Sequence, residues 1–583
     1  MRKTKIICTL GPSVDDENML KALILEGMDV ARLNFSHGSH EEHEKRVKML
    51  KKVRAELNKP VALLLDTKGP EIRLGVFEKG GAELKQGSTF ILTTEEIVGT
   101  NERVTITYKG LPAAVHNGVK ILLDDGLIEL KVMGTNETEV ICKVMNGGII
   151  KDKKSVNVPG LKLDMPYLSQ KDIDDILFGI KHDFDYIAAS FTRSATDIID
   201  IRKILEENGG SEIHIIAKIE NWEGVKNIDE ILMASDGIMV ARGDMGVEID
   251  YNELPQIQKM LIKKARIHGK KSITATQMLD SMISKPRPTR AEISDVANAI
   301  YDETSAIMLS GETSIGKYPL ESVRTMAKIA ESTESAIHYK KRFSHIEVGS
   351  TSNVTNAISH ATCTTAHDLD ASAIITVTKT GITARMISKY RPTCPIVGCT
   401  TSEKVYRQLA MSWGVIPVLF EEKQSSDELF EHAVARAVEA GVVKCGDLVV
   451  LTAGLPLGIP GMTNILKVHI VGNVLTKGIG VTQKSVVGTL CVCKDEDEAI
   501  TTFNGGEILV IPETSNRLMS QLKRAKAIIT EKGDITSHAA IVGLTLDIPV
   551  ICGANHATEI LKSGITVTVD AARGIVYTGV LEE

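Results

Sequence analysis

The chain has 583 residues, more than one hydrophobic core usually supports, so we expect three or four domains. Hydrophobic residues make up 43% and charged residues 25%, which is typical of globular proteins and leaves little room for long disordered segments. The formal net charge of -7 and an aromatic content of 4% argue against a nucleic-acid partner. The basic start leads into an apolar run that Gly11 and Pro12 interrupt too early for a signal peptide or membrane span. We therefore expect a cytoplasmic protein with no membrane partner.

Short apolar runs rich in β-forming residues alternate with helical segments along the first 330 residues. Eight such runs are predicted to be strands: 5–8, 29–33, 61–65, 186–189, 214–217, 237–240, 272–275 and 306–309. Eight strands alternating with helices predict a (β/α)₈ TIM barrel, whose chemistry lies at the carboxyl ends of its strands. We assign this barrel to residues 1–70 and 169–330.

The rest of the chain divides into three further predicted domains. Residues 71–168 separate the third and fourth strands and are rich in alternating patterns and Gly turns, which predicts an inserted β-barrel lid domain. Residues 331–473 hold a new β/α alternation and are predicted to form a doubly wound α/β domain. Residues 474–583 are predicted to form the fourth domain, which is also of α/β type and has strand-like runs at 508–511, 527–530, 550–552 and 566–569.

Polar side chains follow the predicted barrel strands and should converge in one pocket. They are Arg32, Asn34, Ser36, His37, Asp66, Thr67, Lys68, Glu71, Arg73, Lys218, Glu220, Arg242, Asp244, Thr276, Ser310 and Glu312. Glu220 and Asp244 offer the oxygen ligands that Mg²⁺ prefers, and Lys218 and Arg73 add positive charge beside them. Metal, lysine and arginine together suit phosphoryl transfer. Alternatively, Lys218 and Glu220 form a simple ion pair and Asp244 caps a helix.

Seven motifs in order resemble those of the pyruvate kinase family. Two of them read Ala-Arg-Leu-Asn-Phe-Ser-His-Gly at 31–38 and Asp-Thr-Lys-Gly-Pro-Glu-Ile-Arg at 66–73, and the others lie at 213–225, 240–244, 275–279, 285–290 and 309–313. The resemblance covers about residues 1–473. It implies transfer of the phosphoryl group of phosphoenolpyruvate to ADP, giving pyruvate and ATP. It also implies Mg²⁺, with Mn²⁺ as an alternative, and K⁺ as cofactors.

The resemblance assigns roles to the residues of the predicted mouth. It implies that Glu220 and Asp244 bind Mg²⁺, that Lys218 stabilises the phosphoryl group in flight, and that Arg73 contacts phosphate. The expected substrate contacts are Arg32, Lys218, Gly243, Asp244 and Thr276, and the expected nucleotide contacts are Asn34, His37, Arg73 and Lys154 of the lid. The family's K⁺ site is resembled by Asn34, Ser36, Asp66 and Thr67. In the family, dependence on K⁺ accompanies an acid at the position of Glu71. Thr276, Ser310 and Glu312 surround the expected water relay to the enolate, and the proton donor stays open.

Hydroxyls and backbone amides at 376–383 run from a predicted strand into a predicted helix. This arrangement suits an anion, although a Ser/Thr-rich turn that caps a helix is the alternative. Its position resembles the family's effector site, with Thr378, Lys379, Thr380, Gly381 and Thr383 as contacts and residues 453–458 as a covering loop. The resemblance implies a homotetramer regulated by AMP or a sugar phosphate, and the sequence does not choose between these effectors.

The last hundred residues carry Thr-Ser-His-Ala-Ala-Ile-Val at 536–542, which resembles the phosphohistidine domain of phosphoenolpyruvate-utilising phosphotransferases. His538 would lie at a helix start, where the dipole favours a phosphate on the ring. However, Gly533-Asp534 stands where the usual motif has Gly-Gly, and Asp534 would repel phosphate. We therefore favour a structural module. The alternatives are a swivelling phosphotransferase and a degenerate metabolite sensor, and the latter predicts loss of Lys218, Glu220 or Asp244, which are all present.

Overall fold

The computed structural model describes residues 1–161, 164–345, 353–421, 425–454, 463–472 and 474–578. These residues form two compact units. The first unit contains Met1–Cys363, Thr376–Glu421 and Ala453–Asn464, and the second contains Thr364–Ile375, Glu422–Thr452 and Ile465–Glu583. The four domain boundaries proposed above stay predictions.

The chain starts with three strands and two helices in alternation, followed by the insertion. The first elements are β1 (Lys5–Thr9), α1 (Glu17–Glu26), β2 (Val30–Asn34), α2 (His40–Glu56) and β3 (Ala62–Asp66). The insertion contains β4 (Gly81–Leu84), β5 (Thr89–Thr93), β6 (Arg103–Thr105), α3 (Leu111–Ala114), β7 (Lys120–Leu123), β8 (Ile128–Thr135), β9 (Glu139–Val144), β10 (Gly148–Lys151) and β11 (Val156–Asn157).

The β/α alternation then resumes and supplies the remaining barrel strands. These elements are α4 (Gln170–Lys181), β12 (Tyr186–Ala189), α5 (Ala195–Glu207), β13 (His214–Ile219), α6 (Trp222–Lys226), α7 (Ile228–Ala234), β14 (Gly237–Ala241), α8 (Arg242–Glu248), α9 (Leu254–Ile267), β15 (Lys271–Ala275), α10 (Arg290–Tyr301), β16 (Ala306–Leu309), α11 (Gly311–Ser314) and α12 (Pro319–Ser335). Side-chain caps fix several helix starts, such as the reciprocal bonds between Thr289 and Glu292 at α10.

The eight parallel strands close into a barrel in the order β1-β16-β15-β14-β13-β12-β3-β2. The predicted (β/α)₈ barrel is confirmed, and each predicted strand lies within one or two residues of an observed one. Alternate residues point inward, so that Ile7, Leu64, Ile216 and Ile273 belong to one interior cluster. The residues between them pack outward against the helices in a second cluster. The carboxyl ends of all eight strands meet at one end of the barrel, which we call the mouth.

The insertion is rich in strands, as predicted. Its six-stranded sheet has the order β11-β7-β8-β9-β5-β6, and β10 pairs with β4 in a separate two-stranded sheet. Isolated bridges such as Arg73 with Ser155 and Leu74 with Ile106 add to these sheets near the start of the insertion. The buried side chains of the insertion form a core cluster of their own. The insertion is therefore stabilised by packing within itself.

An α/β region follows the barrel and is divided between the two units. Its elements are α13 (Tyr339–Phe343), α14 (Val354–Asp368), β17 (Ala373–Val377), α15 (Ile382–Ser388), β18 (Ile396–Thr400), α16 (Glu403–Leu409), β19 (Val415–Leu419), α17 (Ser426–Glu439), β20 (Leu448–Ala453) and β21 (Ile465–Ile470). Within the first unit β18 pairs with β19 in parallel. Within the second unit β21 lies next to β20. Strands β17 to β20 and the helices between them form the β/α alternation predicted for this region.

The last segment forms an eight-stranded sheet within the second unit. Its elements are β22 (Val474–Lys477), β23 (Ile479–Gly480), β24 (Ser485–Val492), α18 (Glu496–Thr502), β25 (Ile508–Ile511), α19 (Met519–Leu522), β26 (Ala527–Thr530), α20 (His538–Leu546), β27 (Val550–Cys552), α21 (Ala557–Ile560), β28 (Thr566–Asp570) and β29 (Ile575–Tyr577). The strand order is β22-β29-β28-β24-β25-β26-β27-β23. Two clusters of buried side chains pack on this sheet. No helix in the described part of the chain is both long and apolar enough to cross a membrane.

Candidate active site

Lys218 lies at the centre of the barrel mouth, one residue before β13 ends. Its Nζ donates a hydrogen bond to Ser190 Oγ at 2.8 Å and lies 3.1 Å from Asp66 Oδ1 and 3.0 Å from Glu220 Oε1. The side chain is buried, and burial alone would lower the pKa of Lys218. Asp66 and Glu220 outweigh burial and raise that pKa above its usual range. Lys218 is therefore a fixed positive charge that cannot escape into solvent.

Arg32 reaches the mouth from β2 and completes a network of alternating charges. Its Nε donates to Asp66 Oδ2 at 2.6 Å, and its NH1 group donates to Thr9 Oγ1 at 2.9 Å. Burial alone would raise the pKa of Asp66, but Arg32 and Lys218 hold it below the usual range. Asp66 is therefore a carboxylate that bridges the two cations and fixes their positions.

Glu220 and Asp244 supply two carboxyl groups on adjacent strand ends. Glu220 Oε2 accepts a hydrogen bond from the Phe191 amide at 2.6 Å. Glu220 Oε1 lies beside Lys218 Nζ but outside hydrogen-bond alignment, and it has no other partner among the described residues. Burial raises the pKa of Glu220, Lys218 opposes this shift, and Asp244 adds to it. A buried, under-bonded carboxyl oxygen next to a second acid fits a hard divalent cation.

Three residues at the mouth have backbone conformations that non-glycine side chains rarely adopt. The φ angles are +53° at Phe191, +67° at Thr276 and +53° at Gln277. Arg242 holds Thr276 and Gln277 in place, since its NH2 group donates to the carbonyls of Thr276 at 2.8 Å and Gln277 at 3.2 Å. Such conformations persist only where surrounding contacts over-determine them, and they cluster at functional sites. Thr276 Oγ1 also accepts from the Gly243 amide at 2.8 Å.

Ser310 and Glu312 follow β16 on the same side of the barrel. Glu312 Oε2 accepts from the Ser310 amide at 2.7 Å, and its Oε1 accepts from the Leu279 amide at 3.0 Å. Burial raises the pKa of Glu312. The Ser310 hydroxyl is buried without a partner in the described part of the chain. Glu312 thus fixes two backbone segments, and Ser310 retains a free hydroxyl.

A cavity of about 320 Å³ lies between the barrel mouth and the insertion. Asn221, Trp222 and Asp244 line it from the barrel, and Asp125 and Ser155 line it from the insertion. Its size lies within the range of small-molecule sites. The barrel and the insertion therefore enclose a space that a substrate can enter.

The predicted lid contacts are engaged in ion pairs near this cavity. Arg73 Nε lies 2.8 Å from Glu71 Oε2, and the Arg73 NH1 group donates to the Lys153 carbonyl at 2.8 Å. Lys154 Nζ lies 2.7 Å from Asp124 Oδ1. Both cations would therefore have to exchange a carboxylate partner for phosphate in order to bind a nucleotide.

The residues expected to bind K⁺ come from neighbouring strand ends. Asn34 and Asp66 lie opposite each other in register on β2 and β3. Asn34 Oδ1 accepts from the Ser36 amide at 3.1 Å, and Thr67 Oγ1 donates to the Ala188 carbonyl at 3.2 Å. The donor set consists of oxygen atoms, as a hard monovalent cation requires. The side chain of His37, the predicted adenine contact, is exposed just beyond β2.

The predicted effector loop leads from β17 into α15. Gly381 is the N-cap residue just before α15 and has a φ angle of +76°, a left-handed conformation in which a larger residue would be strained. Thr378 and Thr383 are buried, and the Thr383 hydroxyl lies 2.8 Å from the Thr463 hydroxyl. Lys379 and Thr380 lie in the turn between strand and helix. Most of the proposed covering loop, at 455–458, lies outside the described residues.

His538 begins α20, as predicted, and both ring nitrogens have hydrogen-bond partners. Nδ1 lies 3.0 Å from Thr514 Oγ1, and Nε2 lies 3.1 Å from Asn516 Oδ1. With Oδ1 of Asn516 as acceptor, Nε2 carries the proton and Nδ1 accepts from the Thr514 hydroxyl. The Asp534 carboxylate accepts from the amide and hydroxyl of Thr536 in the preceding turn. Neither ring nitrogen is left with a free lone pair.

Sequence reasoning missed two residues that fix the charged network. Ser190 follows β12 and contacts both Lys218 and Asp66, and Thr9 ends β1 and contacts Arg32. Both residues are polar and lie at carboxyl ends of barrel strands. The rule that identified the other mouth residues would therefore have found them. No group of three or more His, Cys, Asp or Glu side chains suited to a metal occurs among the described residues. A divalent ion here would need further ligands from substrate or water.

The closed (β/α)₈ barrel and the buried cations and carboxylates at its mouth suit phosphoryl transfer, and the relatives of the chain identify it as a phosphotransferase. Family models match in order: "Pyruvate kinase, barrel domain" at 1–323, "Pyruvate kinase, alpha/beta domain" at 356–469 and "PEP-utilising enzyme, mobile domain" at 503–574. The pyruvate kinases of Bacillus licheniformis and Geobacillus stearothermophilus are each 50% identical over 99% of both chains. A crystal structure of a pyruvate kinase from Cryptosporidium parvum is 41% identical, with a TM-score of 0.77 over 81% of this chain and 96% of its own. The chain belongs to the pyruvate kinase family.

Proposed function

We propose that this chain transfers the phosphoryl group of phosphoenolpyruvate to ADP, giving pyruvate and ATP. The observation that carries the proposal is the Lys218 ammonium, which two carboxylates and a hydroxyl hold at the barrel mouth. A transferring phosphoryl group spreads negative charge over its oxygens, and catalysis consists largely of positioning and charge stabilisation. A fixed ammonium provides both because it does not have to reorganise during the reaction.

The other residues at the mouth divide between binding and proton transfer. Arg32 and Thr276, together with the amide of Gly243, are expected to hold phosphoenolpyruvate beside Lys218. Arg73 and Lys154 are expected to contact phosphate once the insertion closes over the cavity as a lid, which would exclude water. Asn34 and His37, at and just beyond the end of β2, are the other proposed nucleotide contacts. The proton for the enolate carbon is expected to pass through water near Thr276, Ser310 and Glu312, because the Ser310 hydroxyl has no other partner in the described part of the chain.

Glu220 and Asp244 would hold Mg²⁺ or Mn²⁺, and Asn34, Ser36, Asp66 and Thr67 would hold K⁺. Glu220 Oε1, which accepts no aligned hydrogen bond among the described residues, is the feature that best fits a divalent ion. Divalent ions keep exchangeable positions for substrate oxygens, which agrees with a site that has only two acidic ligands. Bound there, the divalent ion would neutralise charge on the phosphoryl oxygens.

A coupled assay of pyruvate formation tests the activity directly. We expect product from phosphoenolpyruvate and ADP only with Mg²⁺ or Mn²⁺, and a much slower rate when a bulky organic cation replaces K⁺. Lys264→Met is a suitable control variant, because Lys264 pairs with Asp229 on the exposed face of a barrel helix. A parent protein that forms no pyruvate under these conditions would refute the proposal.

We further propose that a phosphorylated metabolite, AMP or a sugar phosphate, regulates a cytoplasmic homotetramer of this chain. The turn before α15 supports an anion site, since it presents backbone amides and the hydroxyls of Thr378 and Thr380 beside Lys379. Titrating AMP and sugar phosphates against the half-saturation value for phosphoenolpyruvate would identify the effector. Sedimentation analysis would give the oligomeric state, and a monomer would contradict the proposal.

We propose that the C-terminal domain is a structural module rather than a phosphate carrier. Phosphorylation of His538 needs a ring nitrogen whose lone pair is free to attack, and hydrogen bonds with Thr514 and Asn516 engage both nitrogens. Incubation with labelled phosphoenolpyruvate is therefore expected to leave no acid-labile label on the protein. A label that His538→Ala removes would reverse this conclusion.

A further inference from the structure

The barrel end opposite the mouth contains a small cavity with a strong excess of positive charge. It lies within the first unit, between the amino-terminal ends of β15 and β16 and the α/β residues 385–413. Six of its eleven lining residues are cationic: Arg266, Lys270, Lys271, Arg385, Lys389 and Arg391. Among its described lining residues, none is acidic. We call it the floor cavity, and none of the residues assigned to the reaction or to the effector loop lines it.

Four buried donors lining the floor cavity have no hydrogen-bond partner among the described residues: Arg266 Nε, Lys271 Nζ, Arg391 Nε and the Ser412 hydroxyl. Arg266 Nε is nevertheless ion-paired with Glu303 Oε2 at 2.9 Å, which leaves the other three. The three residues are 4%, 5% and 2% exposed, respectively. A buried donor without an acceptor costs free energy, more so when it is charged, and native structures rarely tolerate three at one place. The arrangement therefore indicates a missing acceptor.

The backbone and neighbouring side chains fix two of these donors in place. Lys271 is the first residue of β15 and points into the barrel like Ile273, so it cannot swing out to solvent. Its Nζ lies 5.3 Å from the centre of the Tyr186 ring. The Arg391 NH2 group donates to the Glu303 carbonyl at 2.7 Å, and the guanidinium lies over the Trp413 ring. The donors form a preorganised site rather than a set of mobile surface cations.

Nearby acids do not balance this charge. Three acids act electrostatically on the buried cations: Asp236, Glu303 and Glu334. Glu334 already accepts from the backbone amides of Lys3 at 2.7 Å and Thr4 at 2.6 Å. Asp236 already accepts from Arg202 at 2.8 Å, and Glu303 lies 2.9 Å from Arg266 Nε. Burial lowers the pKa of Lys271 well below its usual range, and Arg385 lowers it further. Without an added anion, the site would have to deprotonate this lysine or leave its charge uncompensated.

We propose that the floor cavity binds one small inorganic anion of the halide class, held by Lys271 Nζ, Arg391 Nε and the Ser412 hydroxyl. The available space sets the size of the ligand. The volume that the centre of a water molecule can occupy in the cavity is about 20 Å³, which is room for one or two waters. Chloride fits this space, whereas a sugar phosphate does not. The anion would join the barrel to the α/β residues, because Lys271 and Ser412 come from these two parts.

Bromide provides a direct test on the full chain. Crystals grown with potassium bromide in place of chloride are expected to give an anomalous peak between Lys271 Nζ and Ser412 Oγ. Lys271→Met should lose the peak. Lys5→Met is the matched control, because Lys5 is also buried near the start of an inward-facing strand but donates to the Val415 carbonyl at 2.8 Å. A parent structure with only water at this position would overturn the proposal.

Thermal unfolding gives a second readout that needs no crystals. The ionic strength and K⁺ concentration are held constant while chloride replaces gluconate, which is too large for the cavity. A ligand that binds only the folded state stabilises it in proportion to the logarithm of its concentration above Kd. We expect the melting temperature of the parent and of Lys5→Met to rise by roughly 2–3 °C over a hundredfold range above Kd, because the unfolding entropy of so large a chain is high. Lys271→Met should lose this dependence. Equal melting temperatures of the parent in both salts would contradict the proposal.

Discussion

Replacing Lys218 with methionine tests the charged network at the barrel mouth. Methionine nearly fills the same volume but removes the ammonium that contacts Asp66, Ser190 and Glu220. Removing one preorganised charge that stabilises a transition state typically costs 10²–10³-fold in turnover, or about 2.7–4 kcal/mol. We expect the turnover number of Lys218→Met to fall by at least this factor. Substrate binding should change much less, because Arg32 remains.

The same substitution should also lower stability, and the contacts indicate by how much. Removing one partner of a buried ion pair usually costs about 3–5 kcal/mol, because the other charge is left uncompensated. Here Asp66 keeps Arg32 at 2.6 Å, and Glu220 keeps the Phe191 amide at 2.6 Å. We therefore expect a loss near the lower limit of that range, visible as a drop of several degrees in melting temperature.

Measuring both properties on one preparation separates catalysis from folding. The turnover number is measured by the coupled pyruvate assay well below the melting temperature of the variant, with Lys264→Met as control. A folded Lys218→Met protein whose turnover stays within threefold of the parent would refute the role assigned to Lys218. A variant that loses turnover only in proportion to its unfolded fraction would refute it as well.

Three further changes test the other assignments. Glu71→Lys should supply a positive charge near the proposed K⁺ site and reduce K⁺ dependence; it also breaks the pair with Arg73, so the absolute rate should fall. If the variant needs K⁺ as much as the parent does, the K⁺ site is wrongly placed. Thr378→Glu should put a carboxylate at the effector site and abolish activation, a coupling that is typically about 1–3 kcal/mol. Effector titrations that match the parent would exclude this loop. Deleting residues 474–583, which removes β22 whole, should leave pyruvate formation largely intact while lowering the melting temperature. Loss of turnover at an unchanged melting temperature would instead give the C-terminal domain a part in catalysis.

The barrel could be predicted from the sequence because its strands are short, buried on both faces and regularly spaced. The same regularity placed the mouth residues, since the carboxyl ends of parallel strands must meet at one end. Lys218 and Asp66 are 152 residues apart in the chain, yet each follows from its position in a strand. The partners in the network could not be read in this way, because distance and direction depend on how the barrel closes.

Backbone conformation at the mouth also could not be read from the sequence. Glycine is the usual signal for a positive φ angle, but Phe191, Thr276 and Gln277 carry bulky side chains. Tertiary contacts impose these conformations; the Arg242 guanidinium, for example, binds the carbonyls of Thr276 and Gln277. The floor cavity was hidden for a similar reason. In the sequence, a lysine at the start of a strand resembles an ordinary boundary residue. Only the structure shows that the side chain of Lys271 points into the barrel.

The two ends of the barrel follow one electrostatic rule with opposite results. At the mouth, cations and carboxylates alternate, and Glu220 Oε1 accepts no aligned hydrogen bond among the described residues, which favours a bound cation. At the floor, buried donors lack acceptors among the described residues, which favours a bound anion. Strand β15 connects the two, since it begins at Lys271 and Thr276 follows its last residue. All five residues of β15 are buried, and the strand is paired with β14 and β16. We expect a strand that is hydrogen-bonded on both sides to keep a single position. Energetic coupling between two sites requires an element that can adopt two arrangements. Chloride should therefore raise the melting temperature of the parent without changing the half-saturation value for phosphoenolpyruvate. A chloride-dependent shift in that value, at constant K⁺ and ionic strength, would show that β15 has a second arrangement and that the floor regulates the mouth.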